Sequence, residues 1–163
     1  PMSSMGAHVS AVPNHQTGRV TSLHTRGVVA MAGTFGYELN PALLTAEEKA
    51  EIRAQIGCFK QYEQLICEGT YWRLASPYTD AVSAWMMVSA QQDRALVSAV
   101  RLEAEANAAV TYLRLRGLKP EAVYVEEASG RRYDGAALMN AGIPLPLART
   151  EYEAYQFSFV IVE

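Results

Sequence analysis

The residues best suited to chemistry lie in one short stretch, residues 5–19, which reads MGAHVSAVPNHQTGR. Asn14, His15 and Gln16 follow directly after an apolar run that predicts a strand. Enzymes with parallel sheets place substrate-facing loops just past the carboxyl ends of their strands, so these three side chains are candidates for substrate binding. The alternative is that Asn14 and Gln16 hydrogen-bond to the backbone of a turn. The sequence alone favours neither interpretation.

The three histidines do not predict a metal site. His8, His15 and His24 match no common zinc spacing, and no cysteine or aspartate lies near them to complete a ligand set. We therefore expect no metal and no cofactor. His8 alternates with Ala7 and Val9 in the apolar run, which predicts an inward-facing imidazole with a satisfied hydrogen bond.

No catalytic residue can be named in this chain. Ser10 lies near two histidines in sequence, but the strand–turn–helix motif Gly-x-Ser-x-Gly of serine hydrolases is absent. The only aspartates, all in predicted turns of the second half, are Asp80, Asp93 and Asp134. The glutamates read as solvated residues of helices, strands or loops. A pair of carboxyl groups for acid–base catalysis is therefore not predicted.

The first half of the chain predicts the order strand, helix, strand, helix. The strands are residues 5–10 and 33–39, and a helix over 21–32 is weakened by Gly27. The clearest element is a helix over 45–67. It has Thr45 as its N-cap, a glutamate three residues later in the capping-box position, and Gly69 after its end. Its apolar face is formed by Ile52, Ile56, Phe59, Tyr62 and Ile66.

The second half predicts mostly strands. Residues 84–90 and 94–102 flank a short polar turn and predict a hairpin, and further strands are expected at 110–117, 122–128 and 155–163. Short strands at regular spacing are typical of an antiparallel sandwich. Its aromatic residues, Tyr71, Trp72, Tyr78 and Trp85, are expected in the core of that sandwich, and the alternative is an exposed platform that stacks on sugar rings.

Composition excludes several classes of protein. The 163 residues are 50% apolar, enough for a core, and carry a formal charge of −3, so no nucleic-acid partner is expected. No apolar run is long enough for a membrane span, and no signal peptide is visible. Cys58 and Cys67 lie on opposite faces of one predicted helix, too far apart for a disulfide. Two reduced, partly buried thiols favour a cytoplasmic location.

Several stretches together carry a resemblance to a known family. MGAHVSAVPNHQTGR, TRGVVAMAGTFGYELN and LTAEEKAEIRAQIGCFKQY resemble the C-terminal third of bacterial α-galactosidases of glycoside hydrolase family 36. LRLRGLKPEAVYVEE and YDGAALMNAGIPLPL are similar to the terminal β-domain of that family. The resemblance covers essentially the whole chain, with the stretches in the same order.

The resemblance implies the fold, the activity and which part of the enzyme this chain contributes. Residues 1–69 would be the last two βα units of a (β/α)8 barrel, with its seventh and eighth strands, and residues 70–163 an antiparallel β-sandwich. The parent enzyme would remove terminal α-linked galactose from oligosaccharides with retention of configuration, as an oligomer of identical chains. Its two catalytic aspartates would lie upstream of the match. The loop with Asn14, His15 and Gln16 would then rim the active site, and the chain alone would be inactive. A free-standing carbohydrate-binding or interaction module is the alternative.

Overall fold

A computed structural model describes residues 2–147 and 150–162. The chain divides into two compact units, with the division between Glu68 and Gly69. No helix of the described residues is long and apolar enough to cross a membrane.

The first unit contains a parallel pair of strands, β1 (Val9–Ser10) and β2 (Tyr37–Glu38), joined through helix α1 (Leu23–Ala30). Val9 pairs with Tyr37 and Ser10 with Glu38. Short 3-10 turns at Met2–Ser4 and Pro41–Leu43 precede β1 and follow β2. The predicted strand–helix–strand order is confirmed, but both strands are only two residues long, extended by one isolated bridge between Gly6 and Thr34.

Helix α2 (Ala46–Glu68) begins at the predicted capping box. The amide of Glu48 donates to Thr45 Oγ1 at 3.2 Å, and the amide of Thr45 donates to Glu48 Oε2 at 2.9 Å, so two backbone donors of the first turn are satisfied reciprocally. On the predicted apolar face, Tyr62 and Ile66 are buried, and Leu65 joins them. The other predicted members of that face are half-buried: Ile52, Ile56 and Phe59.

Helix α1 forms although Gly27 lies in its middle. Ser22 is its N-cap, and Ser22 Oγ accepts from the Thr25 amide at 3.1 Å. A Cβ on Gly27 would lie only 2.4 Å from the side chain of Gln55, so the glycine allows α2 to approach α1 closely. The residue that weakens the helix in the sequence is therefore the one that its packing requires.

The second unit is built on a six-stranded antiparallel sheet, in the order β3-β4-β5-β10-β7-β8. Its strands are β3 (Thr70–Ala75), β4 (Val82–Val88), β5 (Arg94–Arg101), β7 (Val123–Glu126), β8 (Arg132–Asp134) and β10 (Ala154–Val162). A second, two-stranded sheet pairs β6 (Tyr112–Leu113) with β9 (Ile143–Pro144). The predicted β4–β5 hairpin is confirmed. Glu163, the last residue of the predicted final strand, lies outside the described residues.

Two details of the second unit differ from the sequence prediction. Helix α3 (Gly135–Asn140) interrupts the strands, with good helix formers in its sequence, GAALMN. Only two residues of the predicted strand 110–117, Tyr112 and Leu113, are paired in the small sheet. The next buried residue, Leu115, donates its amide to the carbonyl of Leu138 instead. The alternation of the predicted strand nevertheless holds, since Leu113 and Leu115 are buried while Arg114 and Arg116 are exposed.

The aromatic residues of the second unit do not form one platform. Trp72 packs against the main core cluster. Tyr71 is its neighbour along β3 and Trp85 pairs with Arg73, so both lie on the opposite face of the sheet from Trp72. Tyr78 stands alone in the turn after β3, with 92% of its surface exposed. The core interpretation holds for Trp72, whereas Tyr71 and Trp85 share the other face of the sheet.

Candidate functional site

The candidate site lies at the carboxyl ends of the two parallel strands of the first unit. We call residues 11–21, between β1 and α1, the rim loop. Its start is tied to the neighbouring strand, since the Ala11 amide donates to the Glu38 carbonyl at 3.2 Å. The rim loop therefore begins at the position where enzymes with parallel sheets hold substrates.

Asn14 braces the tip of the rim loop. Its Oδ1 accepts from the amides of Gln16 and Thr17, at 3.1 and 3.0 Å, and from the Thr17 hydroxyl at 3.1 Å. Its backbone accepts from Gly18 at 2.8 Å and donates to Arg19 at 2.9 Å. Asn14 therefore makes the turn contacts expected of an asparagine in this position, which gives the tip a fixed shape.

His15 and Gln16 stand at this braced tip with exposed side chains. The hydrogen bond of Gln16 to Asn14 uses its backbone amide. The structure thus brings Asn14, His15 and Gln16 together on one hydrogen-bonded turn, with Asn14 shaping the turn and the side chains of the other two exposed. The hydrogen bonds of Asn14 Oδ1 are those of the turn alternative in the sequence analysis. Substrate binding stays a prediction for all three residues.

His8 does not pack into the hydrophobic cluster of Val9, so the predicted inward orientation is not found within this unit, whereas the predicted hydrogen bond is present, to Glu38. Val9 is fully buried and packs with Leu23 and Ala30 of α1, so strand alternation turns His8 to the other face. There its Nε2 lies 2.8 Å from Oε2 of Glu38, and the two side chains are 50% and 76% exposed. A helix covers one face of the strand pair, and the contact between His8 and Glu38 lies on the opposite face.

Glu38 was not singled out from the sequence, although a signal for it exists. Its neighbour Tyr37 pairs with the buried Val9 and packs with the same cluster, so alternation alone assigns Glu38 to the open face. Finding this pair needed the register of two strands that lie far apart in sequence.

Arg26 is the second residue that sequence reasoning missed. Its Nε donates to the Thr21 carbonyl at 3.0 Å, and its Nη1 donates to the Ser10 carbonyl. Burial lowers the pKa of Arg26, and the carboxylates of Glu48 and Glu51 act in the opposite direction. Arginine stays protonated even so, and a single guanidinium therefore contacts both ends of the rim loop.

A buried amide connects the elements behind the site. The Tyr37 hydroxyl donates to Gln55 Oε1 at 2.8 Å, while Gln55 Nε2 donates to the Leu23 carbonyl and to Glu51 Oε1, both at 3.1 Å. Burial, with the nearby Glu51 carboxylate as a second cause, raises the pKa of Tyr37 to about 12. Tyr37 therefore remains a hydrogen-bond donor at neutral pH, and Gln55 links β2, α1 and α2.

Neither a metal site nor a disulfide is found among the described residues. Within residues 2–147 and 150–162, no three histidine, cysteine or acidic side chains are grouped so that they could hold a metal ion. Cys58 and Cys67 are not joined in a disulfide and are half-buried, and burial raises the pKa of the Cys58 thiol.

Family models match both units of the chain. The Melibiase model matches residues 1–69, and the model of the glycosyl hydrolase family 36 C-terminal domain matches residues 82–159. The first match ends one residue beyond the first compact unit, at Gly69, and the second match falls within the second unit.

Individual relatives extend over nearly the whole chain. The chain is 74% identical over 159 residues to the bifunctional α-galactosidase/sucrose kinase AgaSK of Mediterraneibacter gnavus, covering 98% of this chain and 17% of that protein. It is 50% identical to α-galactosidase AgaA of Geobacillus stearothermophilus, covering 93% of this chain and 21% of that protein.

Solved structures give the same result. The galactosidase domain of AgaSK superposes with a TM-score of 0.98 at 72% identity, covering 99% of this chain and 22% of that one. A variant of AgaA in complex with raffinose superposes with a TM-score of 0.97 at 47% identity, with the same two coverages. The chain thus spans about a fifth of the length of these relatives, and it matches the C-terminal part of the glycoside hydrolase family 36 enzymes.

Proposed function

We propose that the protein to which this chain belongs is a retaining α-galactosidase that hydrolyses terminal α-linked galactose from oligosaccharides. The observation that carries the proposal is the superposition on the galactosidase domain of AgaSK over 99% of the chain at 72% identity. The AgaA structures with raffinose and stachyose support α-galactoside oligosaccharides as the substrate class.

In this proposal the two units have different tasks. Residues 1–69 are the last two βα units of a (β/α)8 barrel, and the parallel pairing of β1 with β2 around α1 is the geometry that such a unit requires. Residues 70–163 are the β-sandwich domain, which is structural. The two carboxyl groups of a retaining glycosidase, about 5 to 5.5 Å apart, are supplied by the remainder of the enzyme. The isolated chain is therefore inactive.

The rim loop and the open face of the strands are the contribution of this chain to the substrate site. Helices cover the outside of a barrel, so the helix-free face of β1 and β2, with His8 and Glu38, is its interior face. Asn14, His15 and Gln16 follow at the carboxyl end, where barrel enzymes hold substrate. We assign His15 and Gln16 to sugar contacts and Asn14 to holding the turn that presents them.

The proposal extends to the location, the oligomeric state and the partners of the enzyme. Cys58 and Cys67 form no disulfide, which favours a cytoplasmic location. The family resemblance favours an assembly of identical chains. The formal charge of −3 gives no reason to propose a nucleic-acid partner.

The test compares the complete enzyme with the 163-residue chain. Release of galactose from raffinose by the complete enzyme, with the α-anomer appearing first in proton NMR, supports the proposal. Turnover of an aryl α-galactoside by the isolated chain refutes the proposal that the catalytic carboxyl groups lie in the remainder of the enzyme.

The site assignment is tested separately. His15→Ala and Gln16→Ala in the complete enzyme raise KM for raffinose. His24→Ala, which removes an exposed histidine on α1, is the matched control and leaves KM unchanged.

A further inference from the structure

The side chain of Arg26 contacts both ends of the rim loop at its base. Arg26 donates one hydrogen bond to the carbonyl of Ser10, at the end of β1, and another to the carbonyl of Thr21, just before α1. We propose that Arg26 is a positioning residue, which closes the base of the rim loop and thereby sets where His15 and Gln16 meet the substrate. This inference rests on the proposed function, because it gives the rim loop a substrate to meet.

Tip and base of the loop are fixed by different contacts. The hydrogen bonds of Asn14 all lie within residues 14–19, so they determine the shape of the tip. They do not determine how the tip is oriented with respect to the strands. The hydrogen bond from Ala11 to Glu38 fixes only the start of the loop, whereas the two bonds of Arg26 join both ends of the loop to each other and to α1 and so constrain its orientation.

The surroundings of Arg26 keep its side chain in place. It is half-buried, and the carboxylates of Glu48 and Glu51 on α2 provide opposite charge on the side of the helices. Its two donor nitrogens lie in one rigid plane, so it can bond two carbonyls at once in a fixed geometry. A lysine has a single flexible ammonium and does not reproduce that arrangement.

A loop closed at its base binds substrate with less loss of conformational freedom. If the base opens, the tip must be ordered again at each binding event, and that ordering weakens binding. Because the loop contacts substrate and does not carry the catalytic carboxyl groups, the effect falls on KM. A variant that merely destabilised the enzyme would instead lower kcat through a smaller active fraction, with KM unchanged.

The experiment uses Arg26→Ala and Arg26→Lys in the complete enzyme, with two measurements. The first is the kinetics of raffinose hydrolysis. The second is limited trypsin cleavage after Arg19, an exposed residue inside the rim loop, which reports opening of the loop without reference to activity. Arg53→Ala, at an exposed arginine on α2, is the matched control.

We expect Arg26→Ala to raise KM by roughly three- to tenfold with kcat within twofold, and to accelerate cleavage after Arg19. Arg26→Lys should lie between Arg26→Ala and the unmodified enzyme in both measurements. Arg53→Ala should change neither. Unchanged KM and cleavage in both Arg26 variants, a lower kcat at constant KM, or an Arg26→Lys enzyme identical to the unmodified one would each overturn the inference.

The outcomes separate this inference from the proposed function. If Arg26→Ala accelerates cleavage while KM stays constant in that variant and in His15→Ala and Gln16→Ala, the loop is closed by Arg26 but does not touch substrate. If the tip variants raise KM while Arg26→Ala changes neither readout, the tip binds substrate and Arg26 does not position it.

Discussion

Substitution of Gly27 by alanine tests the packing behind the candidate site. In an open helix position this change stabilises, because alanine has the higher helix propensity. Here the added Cβ would lie 2.4 to 2.5 Å from Cδ, Nε2 and Oε1 of Gln55. Carbon atoms in good contact are about 3.5 to 4.0 Å apart, so Gln55 has to move by about 1 Å.

The magnitude follows from what holds Gln55 in place. Its side chain bonds to Tyr37, Leu23 and Glu51, and a net contribution of about 1 kcal/mol for each bond gives about 3 kcal/mol at risk. The higher helix propensity of alanine than of glycine stabilises the helix by about 1 kcal/mol and offsets part of that loss. We therefore expect Gly27→Ala to lower the free energy of unfolding by about 2 kcal/mol.

Thermal unfolding by calorimetry is the assay. For a protein of this size, 2 kcal/mol corresponds to a Tm lowered by roughly 4 to 8 °C. Gly57→Ala is the matched control: Gly57 lies within α2, and a Cβ there would meet no atom within 4 Å. That variant should raise the free energy of unfolding by up to about 1 kcal/mol.

A second variant isolates the contact itself. In a Gln55→Ala background the obstacle is gone, so adding Gly27→Ala should be neutral or stabilising. The reasoning is refuted if Gly27→Ala stabilises the protein as Gly57→Ala does, or if its effect is the same with and without Gln55.

Three further predictions concern stability. Thr45→Ala removes the acceptor of the capping box and should cost about 1 kcal/mol, read as a lower Tm. Gly117→Ala should destabilise more than Gly130→Ala: both have φ near +70°, but only at Gly117 would a Cβ meet Trp72, at 2.5 Å, and equal losses would contradict this. Burial tends to raise the pKa of Glu126, but hydrogen bonds to its carboxylate outweigh burial and lower it. Its stabilisation is therefore present at neutral pH and lost as pH falls through the lowered pKa, and Glu126→Gln should reduce the acid sensitivity of unfolding.

The sequence predicted an element well where the residues that indicate it all lie within that element. The capping box at Thr45 and the alternation of Leu113 and Leu115 needed no distant partner, and both are found in the structure. Helix α3 was missed because six residues are too few to establish a helical period beside predicted strands. The sequence did not predict which neighbours His8 has, because an apolar run gives alternation without indicating which of its two faces a helix covers.

The sequence by itself determined the order of elements, the resemblance to family 36 and the rim loop as the place to look for substrate contacts. All of these depend on residue types and spacings within short stretches, or on the order of those stretches along the chain. Only the tertiary structure decided that His8 pairs with Glu38, that Gln55 fits against Gly27, and that Arg26 spans the base of the rim loop. The partners of the first two pairs lie about thirty residues apart in sequence. The carbonyls that Arg26 contacts carry no side-chain signal, so distance in space alone reveals its role.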